Sequence, residues 1–303
     1  MLYRYTAGAV MIAMSLLLLV SCSPGDSAQA SQPKGGVGVL LVNHGSHSPR
    51  WRQALHDLES SVRNEVLATE GVSGIRTAFM EYTEPSIATQ LKAFDKDGVS
   101  EVLIVPIFLT VSSHSFDDIP NIIGSKDEQI SKVGLLAEGI ECYTPKAKVT
   151  LAPLLDFSKT MRSNLRRRTR SLSTDPENEG VVLVAYGSKP YDLEWRAFME
   201  EMRSGLKEDL GIEAMEYSWC GHIASYSPEP TADAISKVLK TKERALVVPV
   251  LVAVDEDFQF GMIQAASDRA YPGGEVVYRG DSILPEPGIE SWIVQVVKGH
   301  CGQ

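Results

Sequence analysis

Two histidines and a glutamate, each placed at the end of an apolar run, carry the chemistry open to this sequence. His44 follows Val37–Val42, Glu81 follows Ile75–Met80, and His114 sits in a polar loop after Val102–Leu109. Two neutral imidazoles and a carboxylate make a borderline-soft donor set that suits Co(II), Ni(II), Fe(II) or Zn(II) and suits Mg(II) or Ca(II) poorly. Three protein ligands leave positions open, as a transfer or catalytic site requires. Taken singly, each residue has a plainer role: a hydrogen-bonded loop histidine, or a carboxylate that faces solvent or caps a helix. Their shared position argues for the joint reading, as do the small hydroxyl residues that flank both histidines. Ser46 attacking with a histidine as base is the competing chemistry. It is weak, because His-Gly-Ser lacks the Gly-x-Ser-x-Gly elbow and no acid is placed to orient the base.

The elements that must position these side chains are buried parallel strands. VGVLLVNHGSHSP, Val37 to Pro49, is a β-branched run that stops at Asn43-His44-Gly45-Ser46, with a helical pattern after Pro49. In open α/β sheets ligands sit beyond the carboxyl ends of the strands. Apolar residues at Trp51, Leu55, Leu58, Val62 and Val66 predict a helix, and Pro49 suits its first turn. Glu84-Pro85-Ser86 opens a second helix through about Phe94. A fourth strand, Lys148–Leu151, and a helix from about Phe157 to Leu172 close the first half. Asp117 and Asp118 either cap a helix or orient His114. The pattern is a series of β-α units, hence an all-parallel sheet with helices on both faces.

The segments VLLVNHGSHSP, FMEYTEPSIATQL and VPIFLTVSSHSFDDIP resemble the sirohydrochlorin cobaltochelatase family of class II tetrapyrrole chelatases. The resemblance covers the first half. It implies that His44 and His114 bind the metal and assist deprotonation of the tetrapyrrole, with Glu81 as ligand or base. It also implies insertion of a divalent ion, Co(II) or Ni(II), without nucleotide, in the manner of a lyase of cobalamin biosynthesis.

The second half is a degenerate copy. Gly180-VVLVAYGSKP parallels Gly38-VLLVNHGSHSP, placing Tyr186 at the position of His44, an offset of 142 residues. Val247-VPVLVAVDEDF parallels Ile104-VPIFLTVSSHSF and sets Asp257 against His114, an offset of 143, while His222 lies 141 residues after Glu81. Tyrosine is a poor metal ligand near neutral pH, so the copy is expected to lack the site. Long forms of the family place two such halves across a cleft. The expected fold is therefore α/β, two tandem chelatase-like domains, each a parallel four-stranded sheet flanked by helices. The metal site falls to residues 37–173, the polar segment 174–179 is a linker, and 180–303 is the repeat. Trp219, Tyr186, Tyr226 and Phe258 are candidates to wall the macrocycle, with core packing the plainer role of Trp219.

Residues 1–21 read as a signal peptide: Arg4, an apolar stretch Ala7–Val20, then Leu19-Val20-Ser21-Cys22, which resembles a bacterial lipobox. Cys22 is the expected lipidation site, and 22–36 a flexible tether. The expected location is the cell envelope, lipid-anchored and facing the periplasm, with Ser23 pointing to the outer membrane. The membrane is then a partner through the lipid alone. Cys142, Cys220 and Cys301 remain, with no metal-knuckle spacing and no deducible disulfide. A net charge of −10 over 303 residues makes nucleic acid a poor candidate partner. The basic run Arg162–Arg170 reads as a solvated helix face, or else as a contact for anionic lipid or an anionic ligand. Arg50 and Arg52 are candidates to offset the carboxylates of sirohydrochlorin. Because sirohydrochlorin is cytoplasmic and this chain reads as exported, an alternative is an exported, non-enzymatic metal- or haem-binding lipoprotein.

Overall fold

The computed structural model describes residues 35–108, 114–155 and 157–302. The expected signal peptide, Cys22, the tether as far as residue 34 and the strand end at Leu109 lie outside the described residues. β1 (Val37–Asn43), α1 (Pro49–Leu67), β2 (Val72–Phe79), α2 (Ile87–Asp97) and β3 (Glu101–Pro106) lead to a π-helical turn, His114–Asp118. Then follow α3 (Ile119–Ile122), α4 (Gln129–Ala137), β4 (Lys148–Leu151) and α5 (Phe157–Leu172). The second half repeats the order: β5 (Glu179–Ala185), α6 (Asp192–Leu210), β6 (Met215–Trp219), α7 (Glu229–Val238) and β7 (Arg244–Val250). A second π-helical turn (Asp257–Ile263), α8 (Gln264–Ser267), β8 (Glu275–Tyr278) and α9 (Pro287–Cys301) complete it.

Each half is a four-stranded, wholly parallel sheet, ordered β2-β1-β3-β4 and β6-β5-β7-β8. The first strand of each lies inside its sheet, so the loops after β1 and β3 leave toward opposite faces and open a crevice between them. Alternation along β1 sorts its side chains. Val39 and Leu41 pack on the side of α1, and Leu40 and Val42 on the side of α2 and α3. All four are fully buried, each contributing on the order of 2 kcal/mol. Ser48 caps α1 by accepting from the Trp51 amide at 3.0 Å, with Pro49 in the first turn.

The helix expected to close the first half does not seat there. α5 packs on α6 and β7 of the second sheet, while α9, the last helix, packs on α1 of the first. The two halves thus exchange their final helices, and one apolar cluster runs through Leu55, Val62, Leu165, Met202 and Ile293. This seating explains the arginine run. Arg162 pairs with Asp209 of α6 at 2.8 Å, Arg167 with Glu286 at 2.8 Å, and Arg168 with Asp281 and, at 2.8 Å, with the Pro249 carbonyl. Asn164, fully buried, donates to Glu286 at 2.6 Å. Arg162, Arg167 and Arg168 thus fasten elements together, Arg168 from a buried position and the others from a partly solvated helix face. Cys142, Cys220 and Cys301 are all free. No described helix is long and apolar enough to cross a membrane.

Candidate metal centre

His44, Glu81 and His114 converge from the ends of β1, β2 and β3. One donor atom from each lies within 4.8 Å of the others. Among the described residues this is the sole group of three or more such side chains arranged to hold an ion. The imidazole centroids of His44 and His114 are 4.8 Å apart, with the rings at 79°, and His44 Nε2 lies 4.0 Å from Glu81 Oε2. Donors around a first-row ion sit roughly 3.3 Å apart, so the trio is slightly open and closes on a metal with small side-chain shifts.

Hydrogen bonds fix which nitrogen each ring presents. His114 Nδ1 lies 2.8 Å from Asp118 Oδ2, and Asp118 also accepts from Ser131 Oγ at 2.5 Å. His44 Nδ1 lies 3.2 Å from the Gly45 carbonyl. Both partners only accept, so each Nδ1 carries a proton and each Nε2 lone pair is left for the ion. Asp118 is therefore the orienting aspartate; Asp117 pairs instead with Lys126. Burial, followed by the neighbouring His114, lowers the His44 pKa to about 4. One edge of its ring still opens to the cleft, with the side chain 34% exposed. The imidazole is neutral and ready to ligate throughout the neutral range.

Backbone geometry joins β1 to β2 at the site. The His44 carbonyl accepts from the amides of Glu81 at 2.8 Å and Met80 at 3.1 Å. Gly45 has φ +109°, and a Cβ there would lie 2.0 Å from the Glu81 carbonyl oxygen. Only glycine permits this approach.

Tyr82 escaped the sequence reading. It adopts φ +64°, unusual for a bulky residue, and this throws its ring across the site, 5.9 Å from His44 and 4.8 Å from His47. The available signal was an aromatic directly after the glutamate. Ser46, the rival nucleophile, is committed elsewhere: its hydroxyl donates to Asp255 of the second half at 2.5 Å. Arg52 turns inward to the carbonyls of Ser46 at 2.9 Å and His47 at 2.7 Å, and Arg50 lies over the ring of Phe260 at 5.9 Å.

Of the trio, His44 lines a cleft of about 680 Å³ between the carboxyl ends of the two sheets. The opposite wall holds Tyr186, Tyr226, Phe258 and Trp195, whereas Trp219 is core, as its plainer role required. Tyr186 Oη is 3.1 Å from Tyr226 Oη, and the Tyr186 ring is 5.3 Å from those of both His222 and Phe258. Tyr186, His222 and Asp257 do follow β5, β6 and β7 as the repeat predicts, with Asp257 opening the second π-helical turn as His114 opens the first. They form no donor set of the first half's kind among the described residues.

Comparison with known proteins adds to this geometry. The CbiX family model matches residues 38–172. The chain is 31% identical over 99 residues to the sirohydrochlorin cobaltochelatase of Methanothermobacter thermautotrophicus, covering 33% of this chain and 64% of the relative. It is 30% identical over 93 residues to that of Methanosarcina acetivorans, covering 31% and 68%. It is 25% identical over 156 residues to the sirohydrochlorin ferrochelatase of Bacillus subtilis, covering 51% and 52%. The chain thus spans just under two thirds of the length of the first of these relatives. The crystal structure of the sirohydrochlorin chelatase SirB from Bacillus subtilis subspecies spizizenii in complex with cobalt superposes with a TM-score of 0.59 at 16% identity, over 88% of this chain and 96% of that one. That likeness establishes the fold across both halves. With the matched first half, it follows that the chain belongs to the CbiX family of sirohydrochlorin chelatases.

Proposed function

We propose that the protein is an ATP-independent class II tetrapyrrole chelatase that inserts a divalent ion into a cyclic tetrapyrrole. The observation that carries this reading is the convergence of two Nε2 lone pairs and the Glu81 carboxylate on one point at the mouth of a flat-walled cleft. Metal insertion in water is slow because the ion must shed its hydration shell while two pyrrole N–H protons leave. The imidazoles of His44 and His114 replace part of that shell and leave positions open for ring nitrogens. The slight openness of the trio suits a donor that must let go. Glu81, or an imidazole freed as the ion passes to the ring, accepts a pyrrole proton. The donor set suits Co(II) and Ni(II), and the ferrochelatase among the relatives keeps Fe(II) in the same class.

The test is the absorption spectrum of purified protein mixed with Co(II) and a free-base tetrapyrrole. A metallated-product spectrum that forms faster than in buffer supports the reading. A shifted but unmetallated spectrum leaves a non-enzymatic ring binder. His114→Ala is expected to abolish the enzymatic rate.

Sequence alone suggests the location: a lipid-anchored envelope protein facing the periplasm, tethered through Cys22. Metabolic labelling with a radioactive fatty acid checks it. Label in the wild type that is lost in Cys22→Ala is expected, and an unlabelled wild type would remove the idea.

A further inference from the structure

Sirohydrochlorin carries eight carboxylates, and a site built for it needs cations. The cleft has the opposite charge. Its described lining includes Asp255, Glu256 and Asp257 and no lysine or arginine. The two arginines nearest the site are spoken for. Arg52 binds the carbonyls of Ser46 and His47, and Arg50 lies over Phe260 beside Glu256. The remaining surface is aromatic and aliphatic: Trp51, Phe108, Trp195 and Leu251 beside the tyrosines.

Resting on the chelatase reading, we infer that the substrate is a cyclic tetrapyrrole with few carboxylates, of the dicarboxylate porphyrin class, in place of the octacarboxylate ring. A flat apolar ring fills the aromatic cleft without bringing anions against Asp255, Glu256 and Asp257. Its one or two carboxylates remain at the solvent edge. An octacarboxylate ring directs anions all round its rim, so several must face these acids at close range in a partly desolvated space.

The experiment compares deuteroporphyrin, a dicarboxylate, with uroporphyrin, an octacarboxylate, on the full chain. Ring affinity is followed by fluorescence quenching and metallation with Co(II) by absorbance. The dicarboxylate is expected to bind at least about tenfold more tightly at low salt, roughly 1.4 kcal/mol. The gap should narrow at about 0.5 M salt as the acids are screened. It should narrow again in Glu256→Lys/Asp257→Lys, through tighter uroporphyrin binding. Equal or tighter uroporphyrin binding by the wild type overturns the inference. So does a gap that responds neither to salt nor to the double variant. Uroporphyrin metallated in preference leaves the chelatase reading intact and removes only this one. Deuteroporphyrin bound tightly but never metallated removes the enzyme and keeps the ring class, and if neither ring binds, both fall.

Discussion

At the residue scale, the centre depends on protons held away from the metal. The Asp118 carboxylate keeps the His114 proton on Nδ1. Asp118→Asn weakens that hold, because an amide can turn its NH2 toward the ring and favour the wrong tautomer. Co(II) affinity, measured by calorimetry, is expected to fall about 10–100-fold in this variant with the fold retained. Gly45→Ala tests the joint between the two ligand loops. With a Cβ 2.0 Å from the Glu81 carbonyl, the variant must part His44 from Glu81, so Co(II) binding should be lost with only modest unfolding by circular dichroism. His44 gives a pH dependence of stability. Its pKa is about 4 in the folded protein against an ordinary 6.5, so the unfolded chain takes up a proton first as the medium is acidified. The stability linked to this group is complete above about pH 6.5 and is lost as the pH falls toward 4. His44→Asn is therefore expected to lose less stability than the wild type between pH 7 and 4.5, by urea unfolding at each pH.

At the element scale, the exchange of α5 and α9 is the main departure from expectation, and its fasteners are specific. Asn164 and Glu286 are both buried and bonded to each other at 2.6 Å. Asn164→Ala strips a partner from a buried carboxylate and is expected to cost about 2–3 kcal/mol of stability by chemical denaturation. What the sequence revealed follows from range. The β1 and β5 runs, β4 at Lys148–Leu151 and α5 at Phe157–Leu172 were legible because strand burial and helical periodicity are local signals. The ligands were legible because each ends an apolar strand and so must sit on one rim. The seat of α5 was not, since its apolar stripe fits either sheet and its arginines find partners more than 40 residues away in sequence. The backbone turn at Tyr82 was hidden too, because a bulky residue at positive φ carries no compositional mark. Asp118 and Asp117 stood level in the sequence, and only the π-helical turn, which sets Asp118 one turn beyond His114, decides between them.

At the scale of the whole molecule, one half carries the three-donor cluster and the other lines the facing wall of the cleft, and the two share a core. A fragment ending at residue 173 keeps α5 without its seat and leaves α1 without α9. Such a fragment is expected to be aggregated or poorly ordered in solution by circular dichroism and gel filtration. The intact chain should unfold in a single transition, with tryptophan fluorescence and circular dichroism giving coincident curves. Two separate transitions would show that the common cluster through Leu165 and Ile293 does not couple the halves.

The exchange also sets an order of events at birth. α9 is made long after α1, yet it covers apolar side chains on it. Until some 230 further residues have been synthesised, the newborn N-terminal sheet has one oily flank bare. A protein wired in this way cannot mature piecemeal behind the ribosome. A chain cut short before residue 287 is therefore expected to expose that flank and give a sticky product rather than a smaller working one.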